Sequence, residues 1–153
     1  MQGERKRILL EIVTPYHHFF EGMVDSVVLT SRDGELGIYP GHESMVIALT
    51  PGIAHFCVEE NTRYASLMEG YAEVGPTMVL VVCNAAEWPA DIDVERAGRS
   101  YERSLKRYKD EASTAQIKLY ARHSMRRAKT RMKLAAQYGT EKQKKALQEG
   151  HIL

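Results

Sequence analysis

Side chains able to do chemistry crowd into "DGELGIYPGH" at residues 33–42, where Asp33, Glu35 and His42 stand among three glycines and a proline, with Glu43 next in line. A phosphate-cradling loop would need G-x-x-x-x-G-K-[ST] leading into a helix, so that backbone N–H groups and a lysine face the anion. Here Gly41 is followed by His42 and Glu43, and three carboxylates would repel a phosphate. A metal site built from Asp33, His42 and Glu43 has no fixed ligand spacing behind it, and the adjacent His17 and His18 would point to opposite faces of a strand. Nucleophilic catalysis lacks a G-x-S-x-G elbow, and Cys57 and Cys83 each lie in an apolar, strand-like run where a thiol stays inert. Neither catalysis nor a metal is expected. What remains is a tight turn at Asp33-Gly34, a strand and a Pro-Gly turn, a frame that leaves Glu35 and His42 exposed.

The elements that must hold this frame are short strands. "ILLEIV" at 8–13, "MVDSVVLTS" at 23–31, "ELGIY", "MVIAL", "IAHFCVE", "RYASLME", "YAEV" and "MVLVVCN" are rich in β-branched and aromatic residues. Turn signals separate them: "TP" at 14–15, "EG" at 21–22, "DG" at 33–34, "PG" at 40–41 and 51–52, "EN" at 60–61 and "GP" at 75–76. No helical segment intervenes, so a parallel sheet has no crossover helices, and an antiparallel sandwich is predicted.

From Val94 the period changes. Val94, Ala97, Tyr101, Leu105, Tyr108 and Ala112 make one apolar stripe along a helix, with Asp93 as its N-cap. Ser113 and Gln116 form an S-x-x-Q capping box for a second helix, whose stripe is Ile117, Ala121, Met125, Ala128, Met132 and Ala135 and whose stop is Gly139. The short connection predicts an antiparallel hairpin, thinly packed because its stripes hold many alanines and few large aliphatics. The predicted layout is a β-sandwich domain at 1–90, a helical hairpin at 91–139 and a polar tail at 140–153.

Composition adds a polarity. Over the whole chain the formal charge is +1, yet residues 8–90 carry eleven acidic side chains against Arg32 and Arg63, and residues 91–139 carry thirteen Lys/Arg against six Asp/Glu. The hydrophobic share of 44% and charged share of 27% are those of a soluble globular protein. The longest apolar run, "MVLVVCNAA" at 78–86, is far short of a membrane span, and "MQGERKRILLEIV" has no signal-peptide pattern. A cytoplasmic protein is expected.

"DGELGIYPGHESMV", then "PGI" at 51–53, "EGYAEV" at 69–74, "AAE" at 85–87 and "DIDVERA" at 91–97, resembles the epsilon subunit of bacterial and chloroplast rotary ATP synthases. The resemblance runs from about residue 8 to 136 and rests on the order and spacing of several motifs. It implies an N-terminal sandwich of about ten strands and a C-terminal helical hairpin. It also implies a non-catalytic central-stalk subunit that grips the gamma subunit and the c-ring and couples proton-driven rotation to the catalytic head. Glu35 and His42 match the family's c-ring contacts. The implied location is peripheral, on the cytoplasmic side of a bacterial inner membrane or the stromal side of a thylakoid. The hairpin is implied to move between a folded and an extended position, the latter blocking ATP hydrolysis.

The hairpin's charge has its own reading. Arg96, Arg99, Arg103 and Arg107 share a face of the first helix, and Lys118, Arg122, Arg126, Lys129 and Lys133 continue the theme on the second. Such stripes suit an anion. Through the resemblance, the anion is an acidic loop on the alpha and beta subunits of the head, or regulatory ATP bound through I/L-D-x-x-R-A. Ile92, Asp93, Arg96 and Ala97 match that motif, with Glu87 before it and Arg103 and Arg126 after it. No cofactor is otherwise required. The competing reading is a nucleic-acid- or polyanion-binding module. Against it, Tyr101 and Tyr108 fall on the apolar stripe rather than among the arginines, and the acidic sandwich would repel a phosphate backbone.

Overall fold

The computed structural model describes residues 3–150, which divide into two compact units between Glu87 and Trp88. Residues 88–90, assigned from the sequence to the β domain, therefore belong with the helices.

The first unit holds ten strands: β1 Ile8–Val13, β2 His18–Val24, β3 Ser26–Ser31, β4 Gly34–Ile38, β5 Met45–Leu49, β6 Gly52–Val58, β7 Asn61–Leu67, β8 Gly70–Val74, β9 Met78–Cys83 and β10 Ala86–Glu87. Their hydrogen-bonded order is β10-β7-β6-β3-β5-β8-β9-β1-β2, with β4 pairing β3 off this path. Alternation does the sorting. Ile8, Leu10 and Ile12 of β1, Val27 and Leu29 of β3, and Val79 and Val81 of β9 are fully buried, while their neighbours in sequence face the other way. Each such burial contributes about 1.5–3 kcal/mol.

The expected all-β sandwich is present, with one departure from antiparallel pairing. β1 and β9 run parallel, Leu9 opposite Met78 through Val13 opposite Val82. No crossover helix is needed, because the strands between them in sequence carry the chain around. Two further expectations need correction. Glu21 and Gly22 form no turn but lie inside β2, where a Cβ on Gly22 would stand 3.1 Å from the Phe20 ring. That ring is committed to the interior, 4.6 Å from Phe56 between centroids, so the strand continues. "MVDSVVLTS" is not one strand either, because it breaks at Asp25. The Asp25 carboxylate is ion-paired with Arg5 at 3.0 Å and Arg7 at 3.5 Å, and its N–H donates to the Cys57 carbonyl.

The second unit opens with a single 3-10 turn, Pro89–Asp91, followed by α1 Val94–Lys109, α2 Ala115–Tyr138 and α3 Glu141–Glu149. Asp93 caps α1 by accepting from the Arg96 N–H at 3.0 Å, as the sequence predicts. The cap of α2 is Thr114 rather than Ser113. The Ser113 N–H donates to the Asp110 carbonyl, which keeps Ser113 in the preceding turn, so the next hydroxyl accepts from a free N–H of the first helical turn, that of Ile117. On α2 the expected stripe is buried at Ala121, Ala128, Met132 and Ala135, but Ile117 is 42% exposed and Leu134, outside the stripe, is fully buried.

The polar tail also requires correction. Residues 141–149 form α3, opened by a capping box in which Thr140 accepts from the Gln143 N–H and Gln143 Oε1 accepts from the Thr140 N–H. Gln143 and Leu147 are buried. The segment reads as polar because one leucine and one amide, a helical turn apart, do all the docking. The last residues of the expected tail, 151–153, lie outside the described residues.

Both cysteines are free; Cys57 is half-buried and Cys83 is buried. Desolvation pushes the Cys83 thiol up to about 11, which leaves almost no thiolate near neutrality. At pH 8, iodoacetamide should therefore alkylate native Cys57 and spare Cys83 until the chain is unfolded, as peptide mapping will show; equal labelling of the two would refute this placement of β9.

Candidate functional site

The 33–42 stretch folds as a hairpin arm and a clamped turn. Ser31 pairs with Gly34, and the Ser31 hydroxyl accepts from the Asp33 N–H while donating to the Gly34 carbonyl. Gly34 has φ of +114° and Gly41 φ of +86°, a region that side chains with a Cβ rarely adopt. Beyond β4 the chain closes a turn in which the His42 N–H donates to the Tyr39 carbonyl at 3.2 Å. The Gly41 N–H donates to the Pro76 carbonyl at 2.8 Å, clamping this turn to the β8–β9 connection.

Glu35 is exposed on β4, opposite Thr30, and His42 is half-buried with Nδ1 2.8 Å from the Glu43 carbonyl oxygen. The two are not brought into contact. Glu35 stands near the start of β4 and His42 beyond its end, with about 10 Å of strand between Glu35 and Ile38 alone at ~3.3 Å per residue. They are separate points on a rigid frame, not a catalytic pair. Tyr39, 63% exposed, adds an aromatic ring to the same turn.

The ATP-motif residues are distributed as follows. Glu87 ends β10 in the first unit, whereas Ile92, Asp93, Arg96, Arg103 and Arg126 belong to the second. Ile92 is 4% exposed, and one Asp93 oxygen is taken by the helix cap. Arg96, Arg103 and Arg126 are exposed. A cleft of about 420 Å³ between α1 and α3 is lined by Glu95, Arg99, Glu102, Leu147 and Glu149 among others, and one of about 250 Å³ between α1 and α2 by Arg107, Tyr120 and Arg127. None of the motif residues lines either. Across the hairpin, the Arg122 guanidinium lies 5.7 Å from the centre of the Tyr108 ring and donates to its hydroxyl at 3.3 Å, holding the phenol below its usual range.

Two features escape the sequence reading. The first is an outward face on β5, β8, β9, β1 and β2 in which two apolar rows flank a row holding Glu21, Glu11, Leu80, Glu73 and Val46. One row crosses three strands as Met23, Leu9 and Met78; another runs Val13, Val82, Tyr71 and Ala48. Val46 is 69% exposed, and Met23, Tyr71 and Met78 are exposed as well. The signal was available: "MVIAL" and "MVLVVC" are apolar at every position, as strands covered on both faces are. The second is a grouping of Glu11, His18 and Glu21, whose ligand-type atoms lie within 4.8 Å of one another. His18 is 61% exposed and stands 3.4 Å from Glu11. This is a surface cluster of two carboxylates and an imidazole, different from the Asp33, His42 and Glu43 set considered above, and we assign it no ion.

A family model for the β-sandwich domain of ATP synthase delta/epsilon chains matches residues 7–89. The chain belongs to the ATP synthase epsilon-chain family. It is 42% identical over 101 residues to the epsilon chain of Carboxydothermus hydrogenoformans, covering 66% of this chain and 75% of that one. It is 36% identical over 126 residues to the epsilon chain of Halalkalibacterium halodurans, covering 82% and 95%. A chain in the Euglena gracilis mitochondrial ATP synthase shares the fold, with a TM-score of 0.72, 19% identity and coverage of 81% and 78%. As a member of the epsilon-chain family, the protein is a non-catalytic subunit. In this chain "GELGIYPGH" forms a strand and a clamped turn of defined shape.

The shape depends on Gly41. Gly41→Val, which forces a β-branched residue to φ of +86°, should destabilise the protein by about 1–2 kcal/mol. Glu43→Ala beside it should stay within about 0.5 kcal/mol of wild type. Urea unfolding of the purified chain gives both values, and a neutral Gly41→Val would mean that the turn is not held as described.

Proposed function

We propose that this epsilon chain is a central-stalk subunit of a rotary ATP synthase, transmitting c-ring rotation to the catalytic head and restraining ATP hydrolysis through its helical unit. The observation that carries the proposal is the turn at 39–44, clamped by the Gly41 N–H on the Pro76 carbonyl. Torque passes only through a contact that does not yield, and a turn tied at its base to another strand connection presents Tyr39 and His42 without a flexible stem. Glu35 and His42 are the polar contacts for c-ring loops. The outward face bearing Val46, Tyr71, Met78 and Met23 is the docking face for the gamma subunit, since an exposed apolar area of this kind on a subunit marks an interface. The complex places the chain at the membrane surface on the cytoplasmic or stromal side.

The helical unit supports the regulatory part. Small side chains, Ala97, Gly98 and Ser104 on α1 and Ala121, Ala128 and Ala135 on α2, make up much of what these helices bury, beside Val94, Met132 and Leu134, so only a few large side chains resist separation. Its exposed arginines face partners of opposite sign, acidic loops of the alpha and beta subunits. Regulatory ATP belongs to the same proposal, with Arg96 and Arg103 on exposed positions of α1 as the phosphate contacts.

Replacing Glu35 and His42 together by alanine should leave the fold within about 0.5 kcal/mol of wild type and the complex assembled, while proton-driven ATP synthesis in reconstituted vesicles falls several-fold. Undiminished synthesis would sink the c-ring assignment. For ATP, calorimetric titration of the isolated chain should give saturable heat that Arg103→Ala weakens by about tenfold, the loss of one charge-assisted contact; a flat titration at millimolar ATP would remove nucleotide sensing.

A further inference from the structure

The residues that join the β unit to the hairpin are not left loose. The 3-10 turn Pro89–Asp91 ends with the Ile92 N–H reaching back to the Pro89 carbonyl. The carbonyls of Pro89 and Ile92 then accept from a single side chain, the Gln143 amide, at 2.8 and 2.9 Å. Gln143 is 9% exposed, and its own carbonyl oxygen accepts from the Thr140 N–H at 2.7 Å. Both N–H groups and the carbonyl of this amide are therefore used. Leu147, one turn further along α3, is 3% exposed, and α3 packs on both α1 and α2. At the start of α3, a Cβ on Gly139 would collide with the Ala135 carbonyl and the Gln143 side chain, so the α2–α3 corner is tight enough to aim Gln143 at its targets.

We propose that α3 is a clasp: the Gln143 amide fastens the linker Pro89–Ile92 to the helical unit, and undocking of α3 frees the linker to act as a hinge. A linker can redirect the hairpin only if its backbone dihedrals are free to change. Two carbonyls bonded to one buried amide forbid that, because moving either strands a polar group away from water. The remainder of α3 resists release weakly. Its apolar docking is a single leucine, and its ion pairs, Lys144 to Glu141 at 3.7 Å and Lys145 to Glu149 at 3.8 Å, lie on its surface. A nine-residue helix is marginal once detached, so the clasp opens as a unit. This inference rests on the reading of the hairpin as a mobile restraint, and it adds the element that holds that restraint in reserve.

Gln143→Glu is the discriminating variant. Glutamate keeps the volume, the helix propensity and the acceptor required by the capping box, but a carboxylate donates to neither carbonyl. At pH 8, hydrogen exchange of the full-length protein should be about tenfold faster or more over residues 88–93 in Gln143→Glu, since each 1.4 kcal/mol of lost restraint is tenfold and an unpaired buried group loses about that much. Gln143→Met, which has no donor at all, should do the same, while Lys145→Ala should match wild type. Circular dichroism verifies that the helices persist. Unchanged exchange over residues 88–93 in both Gln143 variants overturns the clasp. The assembled ATP synthase supplies the second arm, in which a freed hairpin should lower ATP hydrolysis. Faster linker exchange with undiminished hydrolysis overturns the inhibitory reading of the hairpin and leaves the clasp standing.

Discussion

The ladder between β1 and β9 fixes more of this molecule than any other contact. Five residue pairs, Leu9 with Met78 through Val13 with Val82, join the first strand to the ninth in parallel. They place the inner side chains of β1 beside those of β9, so the interior forms around a seam that neither hairpins nor short turns can make. The same seam sets the outer machinery. The Leu9 N–H donates to the Thr77 carbonyl at 2.9 Å, and one residue earlier the Pro76 carbonyl accepts from Gly41 at 2.8 Å. The N-terminal strand thus positions the β8–β9 connection, and that connection positions the turn bearing His42. Parallel pairing between strands so distant in sequence is entropically costly to reach and slow to form.

Much of this was legible in the residues. Runs rich in β-branched and aromatic residues, with Gly and Pro punctuation between them, gave most strands their place, and Asp93 announced the first helix through the physics of capping. The losses have physical causes. β2 was missed because Gly22 looks like a turn residue, and only the Phe20 ring lying over it explains why the strand runs on. The parallel pair was missed because pairing partners far apart in sequence leave no local signal. α3 was missed although Thr140 and Gln143 form a capping box in plain view; the box expected from Ser113 and Gln116 at the start of α2 does not form, because the cap there is Thr114 and the residue three positions on is Ile117. Polarity misled the reading, since Gln143 is buried as a hydrogen-bonding group rather than as an apolar one. Glu35 is exposed as expected, but His42 is half-buried, its ring turned to the Glu43 carbonyl, and that the strand holds the two apart required the backbone.

The helical unit has two qualities of packing. Among the buried residues of α1 and α2, alanine, glycine and serine outnumber the large side chains, Val94, Met132 and Leu134. Toward the linker, one amide with all its hydrogen bonds made does the holding. Packing of the first kind separates gradually and at low cost. Hydrogen bonding of the second kind is close to all-or-none, because a half-satisfied buried amide is worse than either end state. In the regulatory role proposed above, the two would combine as a compliant body and a sharp release.

The ends of the sheet carry a different consequence. The hydrogen-bonded order begins at β10, two residues long, and finishes at β2. β2 exposes the imidazole of His18 and the carboxylate of Glu21 along its length, and stops at the ion-paired Asp25. Short strands and charged edges are poor templates for pairing with a stray strand from another chain. A subunit displaying Val46 and Met78 to water is thereby less exposed to stray pairing at β10 and β2, since this apolar area lies on a sheet face and not along those two strands.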